Sequence, residues 1–443
     1  MRQLDVEKEL RPFRVDSVTM CENEGRFKQQ ILSHREDMFK NGPDPFTWPL
    51  FEIRVTNFQK QSVVHFCVSL FIMDGISDLA MRRILSGLYN EFDEIAPLQA
   101  VDLTYRDYNN SMCDSQTGIA RSLRYQKSLH YWKERVRTLP VAPELPTIPT
   151  TNTQEFDHIG NVLDRSRYRR LRELASRHAV TPTAVLLTIY AVTLGRYARH
   201  REMLLNILHC LRHPVHKDYD RVIGNFSSSF LMGANVETGS MLECVRGVMV
   251  EFAASLEHAC VSGVDVMQEY NKLKRSTFGL VAPFVFVSAL GLEHHVEDWR
   301  GLAFQETYVH EATPGTWMVH AVKEYPNGSM FWGMDVLSGV FPEHVLKGIE
   351  RTYRKLLHTL CDDPTMWETS SPYDMLDKVK PALPVASPRV LSQALLHDTI
   401  SSRKGVCIVD ASSTTKLKLT YVLCSIYIVL CSIYIVSLFD ISL

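Results

Sequence analysis

A mixed α/β protein of two lobes, each a sheet with helices, is the architecture this sequence predicts. Three observations carry that expectation. Strand-like apolar runs alternate with helical periodicity in both halves of the chain. Between the halves, Leu139 to Pro149 places Pro140, Pro143, Pro146 and Pro149 three residues apart, a spacing that forbids helix and stiffens an extended connector. With 443 residues, 45% of them hydrophobic, the chain is long enough to bury one large core or two medium ones.

The elements follow in order. Glu22 to Phe39 is polar with a helical repeat. Trp48 to Val55 reads as a strand, with Phe51, Ile53 and Val55 on one side of the pleat. Val63 to Met73 reads as a second, largely buried strand. Asp78 to Phe92 follows as an amphipathic helix whose apolar face is Met81, Ile84, Leu85, Leu88, Tyr89 and Phe92, with Ser77 at its cap position. Leu123 to Val136 is a further helix before the connector. Beyond it, Asp164 to His178 is an arginine-rich helix, and Thr181-Pro182 is a cap followed by a first-turn proline. Ala184 to Leu194 is apolar almost all round, so this helix is expected to be central. Strands are expected at Met203 to Leu208 and Ala282 to Leu290, and a helix at Pro342 to Leu360.

Composition removes several classes of function. Net charge is −2, from 48 basic and 50 acidic side chains, which gives no general pull toward nucleic acid or anionic membrane. Ten cysteines are scattered without a CxxC pair and read as reduced core residues of a cytoplasmic protein. Residues 1–15 are charged throughout and carry no secretory signal. Arg165, Arg167, Arg169, Arg170 and Arg172 read as a solvated helix face. His294-His295-Val296-Glu297-Asp298 and the His209, His213, His216, Asp218, Asp220 group read as polar loops, and no metal is expected.

The segment richest in chemistry is Ser69-Leu70-Phe71-Ile72-Met73-Asp74-Gly75-Ile76-Ser77. An apolar strand stops at an acid, a glycine and a small hydroxyl, and a helix pattern starts at once. Acyl-condensing enzymes present catalytic residues at such a strand-to-helix junction.

With that stretch, six motifs carry the likeness across about Arg11 to Thr365. Trp48-Pro49-Leu50-Phe51-Glu52-Ile53-Arg54 resembles "PLFDIR". Tyr105-Arg106-Asp107-Tyr108, Tyr131-Trp132 and the Leu139 to Pro149 run resemble "FRDY…YW…LPxAPxLP". Gly224-Asn225-Phe226-Ser227-Ser228 resembles "GDFTS", Ala282 to Gly291 resembles "PVVFTSALG", and Thr313-Pro314 with Trp317 resembles "TPQVWLD". These are motifs of the heterocyclization domains within the condensation superfamily of nonribosomal peptide synthetases. Such domains join cysteine, serine or threonine to an upstream acyl group, then cyclise and dehydrate it. Ordinary condensation domains carry HHxxxDG and heterocyclization domains carry DxxxxDxxS. The present stretch fits the second pattern at Asp74 and Ser77 and departs at Ser69.

The resemblance implies two chloramphenicol-acetyltransferase-like lobes forming a V around a central tunnel. It implies partner carrier domains whose phosphopantetheine arms bear the substrates, with no cofactor, metal or nucleotide bound by the domain itself. It also locates the chemistry. The family's threonine of "VFTS" and aspartate of "VWLD" fall on Val287 and Val319, the asparagine of "LFNR" on Leu211, and the aspartate of "GDFTS" on Asn225. Valine has no donor, acceptor or titratable group. With Ser69, five chemical positions are replaced, so loss of cyclodehydration is expected. Losing one general acid or base typically costs about two to four powers of ten in rate. Asp74 and Ser77 are retained, and Asp74 is expected to pair with Arg212 as a structural link between lobes.

Family members begin upstream of this chain's first residues, so the resemblance implies a truncated first lobe. The expected divisions are 1–138 for that lobe, 139–153 for the connector, 154–375 for the second lobe, 376–421 for a linker and the beginning of an adenylation domain, and 422–443 for an apolar tail. The tail repeats LCSIYIV at Leu423–Val429 and again at Leu430–Val436. Two readings of it stay open: a duplicated stretch of coding sequence, and a single-span membrane anchor over 419–439. Three functional readings follow: an acyl-condensing enzyme, a non-catalytic carrier-docking domain, and a pseudogene product with no function.

Overall fold

The structure is a computed structural model, which describes residues 17–44, 47–90, 101–113, 122–148, 155–210, 212–274, 280–291, 305–313, 315–325, 327–368, 371–376 and 434–442. Two sheets organise these residues. The first half supplies β1 (Ser17–Met20), α1 (Glu24–Lys40), β2 (Phe51–Phe58), β3 (Gln61–Val68), α2 (Gly75–Asn90), α3 (Tyr105–Cys113) and α4 (Leu123–Arg135). The second half supplies β4 (Phe156–Leu163), α5 (Arg165–Arg177), α6 (Pro182–Tyr197), β5 (Glu202–Cys210), β6 (Ser227–Asn235), α7 (Met241–Glu257) and α8 (Gly263–Lys274). It continues through β7 (Phe284–Ala289), β8 (Gln305–Ala312), β9 (Met318–Glu324), β10 (Met330–Leu337) and α9 (Glu343–Asp362), and β11 (Tyr434–Ser442) ends the described chain.

Sheet A has the order β1-β2-β3-β11-β8, and sheet B the order β4-β10-β9-β7-β5-β6. In sheet B, β7 runs parallel to both β5 and β9, and the remaining pairs are antiparallel. Mixed sheets covered by helices are what the alternating sequence pattern predicts. Strand β8 comes from the second half of the chain yet pairs in sheet A, through β11.

The main core lies on one face of sheet B. Phe284, Phe286, Met318, Val322, Trp332 and Met334 point into it and meet α5, α6, α7 and α9. Helix α6 is buried along nearly its whole length, as its all-round apolarity predicts, and the Thr181 hydroxyl caps it by accepting from Ala184 N–H at 3.1 Å. Trp132, Val136, Leu139 and Leu145 join this same core, so α4 and the extended segment after it pack on the second half of the chain. Helix α5 spends its arginines on ion pairs: Arg167 with Asp362 at 2.9 Å and Arg172 with Glu324 at 3.2 Å.

The first half has smaller clusters and a polar interior. The Thr56 hydroxyl lies 3.2 Å from His34 Nδ1 and 3.0 Å from His65 Nε2, and Gln30 Nε2 lies 2.7 Å from His34 Nε2. His65 and Thr56 are fully buried. Burial, with His34, Arg35 and Arg54 nearby, drives the His65 pKa down to about 3.

Three expectations change here. The strand expected over 63–73 ends at Val68, because Ser69 turns the chain by accepting Ile72 N–H on its carbonyl and Phe71 N–H on its hydroxyl. The apolar face expected to anchor α2 is instead exposed at Ile84, Leu85 and Tyr89. The opposite face turns inward because Asp78 and Arg82 form an ion pair at 2.7 Å, both side chains only 8% exposed, beside buried Ser86. In the tail, Tyr434–Ser442 is a strand paired antiparallel with β3 on one side and β8 on the other. Among the described residues, no single helix is long and apolar enough to cross a membrane. Residues 377–433, which hold the first copy of the tail repeat, lie outside the described residues.

Candidate functional site

Asp74 stands where the turn after β3 enters α2. It caps that helix: its carbonyl accepts Asp78 N–H at 2.9 Å and its Oδ1 accepts Ser77 N–H at 2.7 Å. The cap expected at Ser77 therefore falls three residues earlier. A carboxylate reaches back over the first turn, leaving the Ser77 hydroxyl free to bond across to the second half of the chain. That hydroxyl donates to Gly224 O at 2.7 Å and accepts Gly224 N–H at 3.1 Å.

Arg212 completes the junction. Its Nη2 donates to Asp74 Oδ1 at 3.2 Å and to Ser77 Oγ at 2.9 Å, while Nη1 donates to the carbonyls of Asp220 and Val222. Asp74 Oδ2 accepts Phe226 N–H at 3.0 Å. The guanidinium carbon lies 4.1 Å from the centre of the Phe226 ring. The Asp74 side chain is fully buried and that of Arg212 is 4% exposed.

Asn225 works in the same junction. Its Nδ2 donates to Leu70 O at 2.6 Å, and its Oδ1 accepts Ser227 N–H at 2.8 Å. An aspartate could not make the first of these bonds, since a carboxylate only accepts. The Tyr105 hydroxyl donates to Asn225 O at 2.5 Å, and Tyr105 and Tyr108 set their rings edge-on to Phe226. Burial raises the pKa of both tyrosines. Gly224 lies against Tyr105 so closely that a Cβ would run into the ring. We expect Gly224→Ala to destabilise the protein by about 1–3 kcal/mol, read from urea unfolding, with most of the loss relieved in a Tyr105→Ala background.

The loop after β5 also ties the halves together. Asp218 accepts Asp102 N–H at 3.2 Å and pairs with Arg221 at 3.1 Å, while His213 N–H donates to the Tyr108 hydroxyl at 2.7 Å. Burial lowers the His209 pKa to about 4, helped by the nearby charge of His213. The His294 to Asp298 segment and Leu211 lie outside the described residues.

The structure thus gathers Asp74, Ser77, Arg212 and Asn225 at one junction. Ser69 sits at the start of the turn leading into it. Val287 and Val319 stand elsewhere, on the face of sheet B that points away from the helical core. Strand alternation puts them there: Phe286, Ser288, Met318 and His320 take the helix side, so Val285, Val287 and Val319 take the other. Val285 and Val319 are direct neighbours across the β7–β9 ladder, and Leu208 pairs with Val287 across β5–β7. No titratable side chain stands at either valine position.

Sequence reasoning missed two residues of this face. Asp335 on β10 is the ladder partner of Val319, and His158 on β4 is the ladder partner of Asp335. One signal was available: Asp335 is a lone acid inside the apolar run Met330 to Leu337.

A sequence model of the family described as "Condensation domain" matches residues 8–378 of this chain. The chain belongs to the condensation-domain family. Its relatives include heterocyclizing synthetases. It is 24% identical over 376 residues to pyochelin synthetase PchF of Pseudomonas aeruginosa (strain UCBPP-PA14), covering 83% of this chain and 20% of that protein. It is 26% identical over 318 residues to phenyloxazoline synthase MbtB of Mycobacterium sp. (strain MCS), covering 70% of this chain and 26% of that protein. Bacitracin synthase 1 of Bacillus licheniformis matches at 27% over 336 residues, 73% of this chain and 6% of that protein. The condensation-domain chain thus spans about a quarter or less of the length of these relatives.

Among solved structures, it resembles the EpoB cyclization-docking bidomain from Sorangium cellulosum, with a TM-score of 0.67 at 23% identity, over 80% of this chain and 71% of that one. It also resembles the peptide synthetase FmoA3, with a TM-score of 0.70 at 24% identity, over 83% of this chain and 38% of that one. The chloramphenicol-acetyltransferase-like fold is therefore that of condensation domains.

Proposed function

We propose that this condensation domain forms an amide between a carrier-bound acyl group and a carrier-bound cysteine, serine or threonine, and does not cyclise or dehydrate the product. The substrates arrive on phosphopantetheine arms of partner carrier domains, and in an intact synthetase an adenylation domain follows. One observation carries the reading: Val287 and Val319 stand where the resemblance puts the hydroxyl and the carboxylate that cyclodehydration needs, and valine supplies neither. Amide formation asks less, because an amine and a thioester held in line gain most of their rate from positioning.

The test uses the purified chain with acyl-loaded and cysteinyl-loaded carrier domains, read by intact-protein mass spectrometry. The open-chain amide is the expected product. A product lighter by one water would overturn the loss of cyclodehydration, and no product at all would overturn amide formation. A second reading, a carrier-docking domain without turnover, draws on the retained polar motif residues being bonded across the junction between the two halves. Carrier binding without any product would favour it.

A further inference from the structure

One register row crosses sheet B on the face away from the helical core. It runs through Leu231 (β6), Asn206 (β5), Val285 (β7) and Val319 (β9), each the ladder partner of the next. Side chains in such a row leave the same face, and neighbouring strands are about 5 Å apart. Val285 and Val319 are 4% and 3% exposed, yet they are not part of the main core. On β6 the chain packs this face itself. Gly263 of α8 lies on Ser229, and Pro140 of the connector lies on Gly233.

Asn206 is the polar side chain in that row. Its Oδ1 is buried and has no hydrogen-bond partner among the described residues. An interior acceptor without a donor carries its full desolvation cost, which an incoming N–H removes. The chemistry asked of a ligand here is therefore an N–H group on an otherwise apolar chain.

The pantetheine arm has that chemistry. Its amide nearest the sulfur carries an N–H, and the nitrogen lies four bonds from the thioester carbon, about 5 Å when extended. One strand spacing, from Asn206 to Val285, is the same length. Val285 is the ladder partner of Val319 and lies two residues before Val287, so it stands beside both positions where the resemblance locates the chemistry.

We propose that Asn206 binds the pantetheine amide nearest the sulfur, accepting its N–H on Oδ1, and so sets the thioester carbon over Val285. This rests on the reading of carrier-bound substrates above. The same amide is present on the acyl-donor arm and on the aminoacyl-acceptor arm, and the experiment distinguishes them.

The experiment is calorimetric titration of the full chain with two pairs of unreactive pantetheine probes, each with a methylene in place of the thioester sulfur. One pair is acetylated, as on a donor arm. The other carries the seryl group of an acceptor arm. Within each pair, the second member has an ester oxygen in place of the N–H in question. The wild type is expected to bind the N–H member at least about tenfold more tightly. The pair or pairs that show this preference identify the arm, and the comparison needs no variant to fold. Asn206→Leu is expected to erase the preference. Asn206→Asp is expected to keep it, because a carboxylate oxygen still accepts.

Equal binding within both pairs, no binding of any probe, or a preference unchanged in a folded Asn206→Leu would overturn the assignment. A preference for the N–H without amide product would leave this assignment standing and remove the amide-forming reading. Amide product without the preference would remove this assignment alone.

Discussion

Asp74→Ala and Arg212→Ala are each expected to lose about 3–5 kcal/mol of stability in urea unfolding. The size follows from burial. The two side chains are 0% and 4% exposed and lie 3.2 Å apart, so removing either leaves a charge in the interior without its partner. The carboxylate also accepts Ser77 N–H and Phe226 N–H, and both donors would be left without it. Ser77→Ala should cost less, about 1–3 kcal/mol, since it strands only neutral groups at Gly224 while the ion pair survives. A loss below about 1 kcal/mol in Asp74→Ala would contradict the structural role. The same bonds direct the lone pairs of the Asp74 carboxylate at three donors.

Acidification is the second large effect. Burial lowers the pKa of His65 to about 3 and those of His209 and His320 to about 4, from an ordinary 6.5. His65 is pushed further by His34, Arg35 and Arg54, and His209 by His213, whereas the bond to Gly333 O partly offsets the shift at His320. The sign is fixed by which state takes up protons first. Above pH 6.5 these imidazoles are neutral in both states and cost nothing. Below it the unfolded chain protonates first, so stability falls as pH falls, and it keeps falling until the folded-state pKa is reached. Each group contributes about 1.4 kcal/mol per pH unit in that window, so the three together approach 4 kcal/mol per unit. Urea midpoints measured between pH 7 and pH 4.5 should follow this slope, and His320→Gln should remove about a third of it. A flat profile over that range would refute the burial argument.

What the sequence disclosed tracks how local each signal is. The Thr181 cap and helix α6 could be read directly, because a cap, a proline and all-round apolarity act within one turn. The retained Asp74 and Ser77, and the valines at 287 and 319, could be placed from short motifs. Periodicity found the apolar stripe of α2 but not the direction it faces. That is decided by the Asp78–Arg82 pair and by the bonds from Asp74 and Ser77 to residues about 150 positions away. Asn225 looked like a lost charge, and only its bond to Leu70 O reveals why an amide suits the site. Strands β8 and β11 pair across sequence distances that no local pattern carries, and the alignment of His158, Asp335 and Val319 depends on the register of three strands.

Sheet A has a consequence for how the chain is made. Its neighbours β3 and β11 are separated by more than 360 residues, and among the described residues β8 joins the sheet through β11. During synthesis, β1, β2 and β3 emerge before β11 and wait, with one edge of β3 unpaired, until the more than 360 residues between β3 and β11 have been made. All strands of sheet B, and helices α5, α6 and α7, precede β11 in the chain and can assemble in the meantime. Sheet A is therefore completed after sheet B although three of its strands are made before it, and β3 depends longest on chaperones to protect its edge.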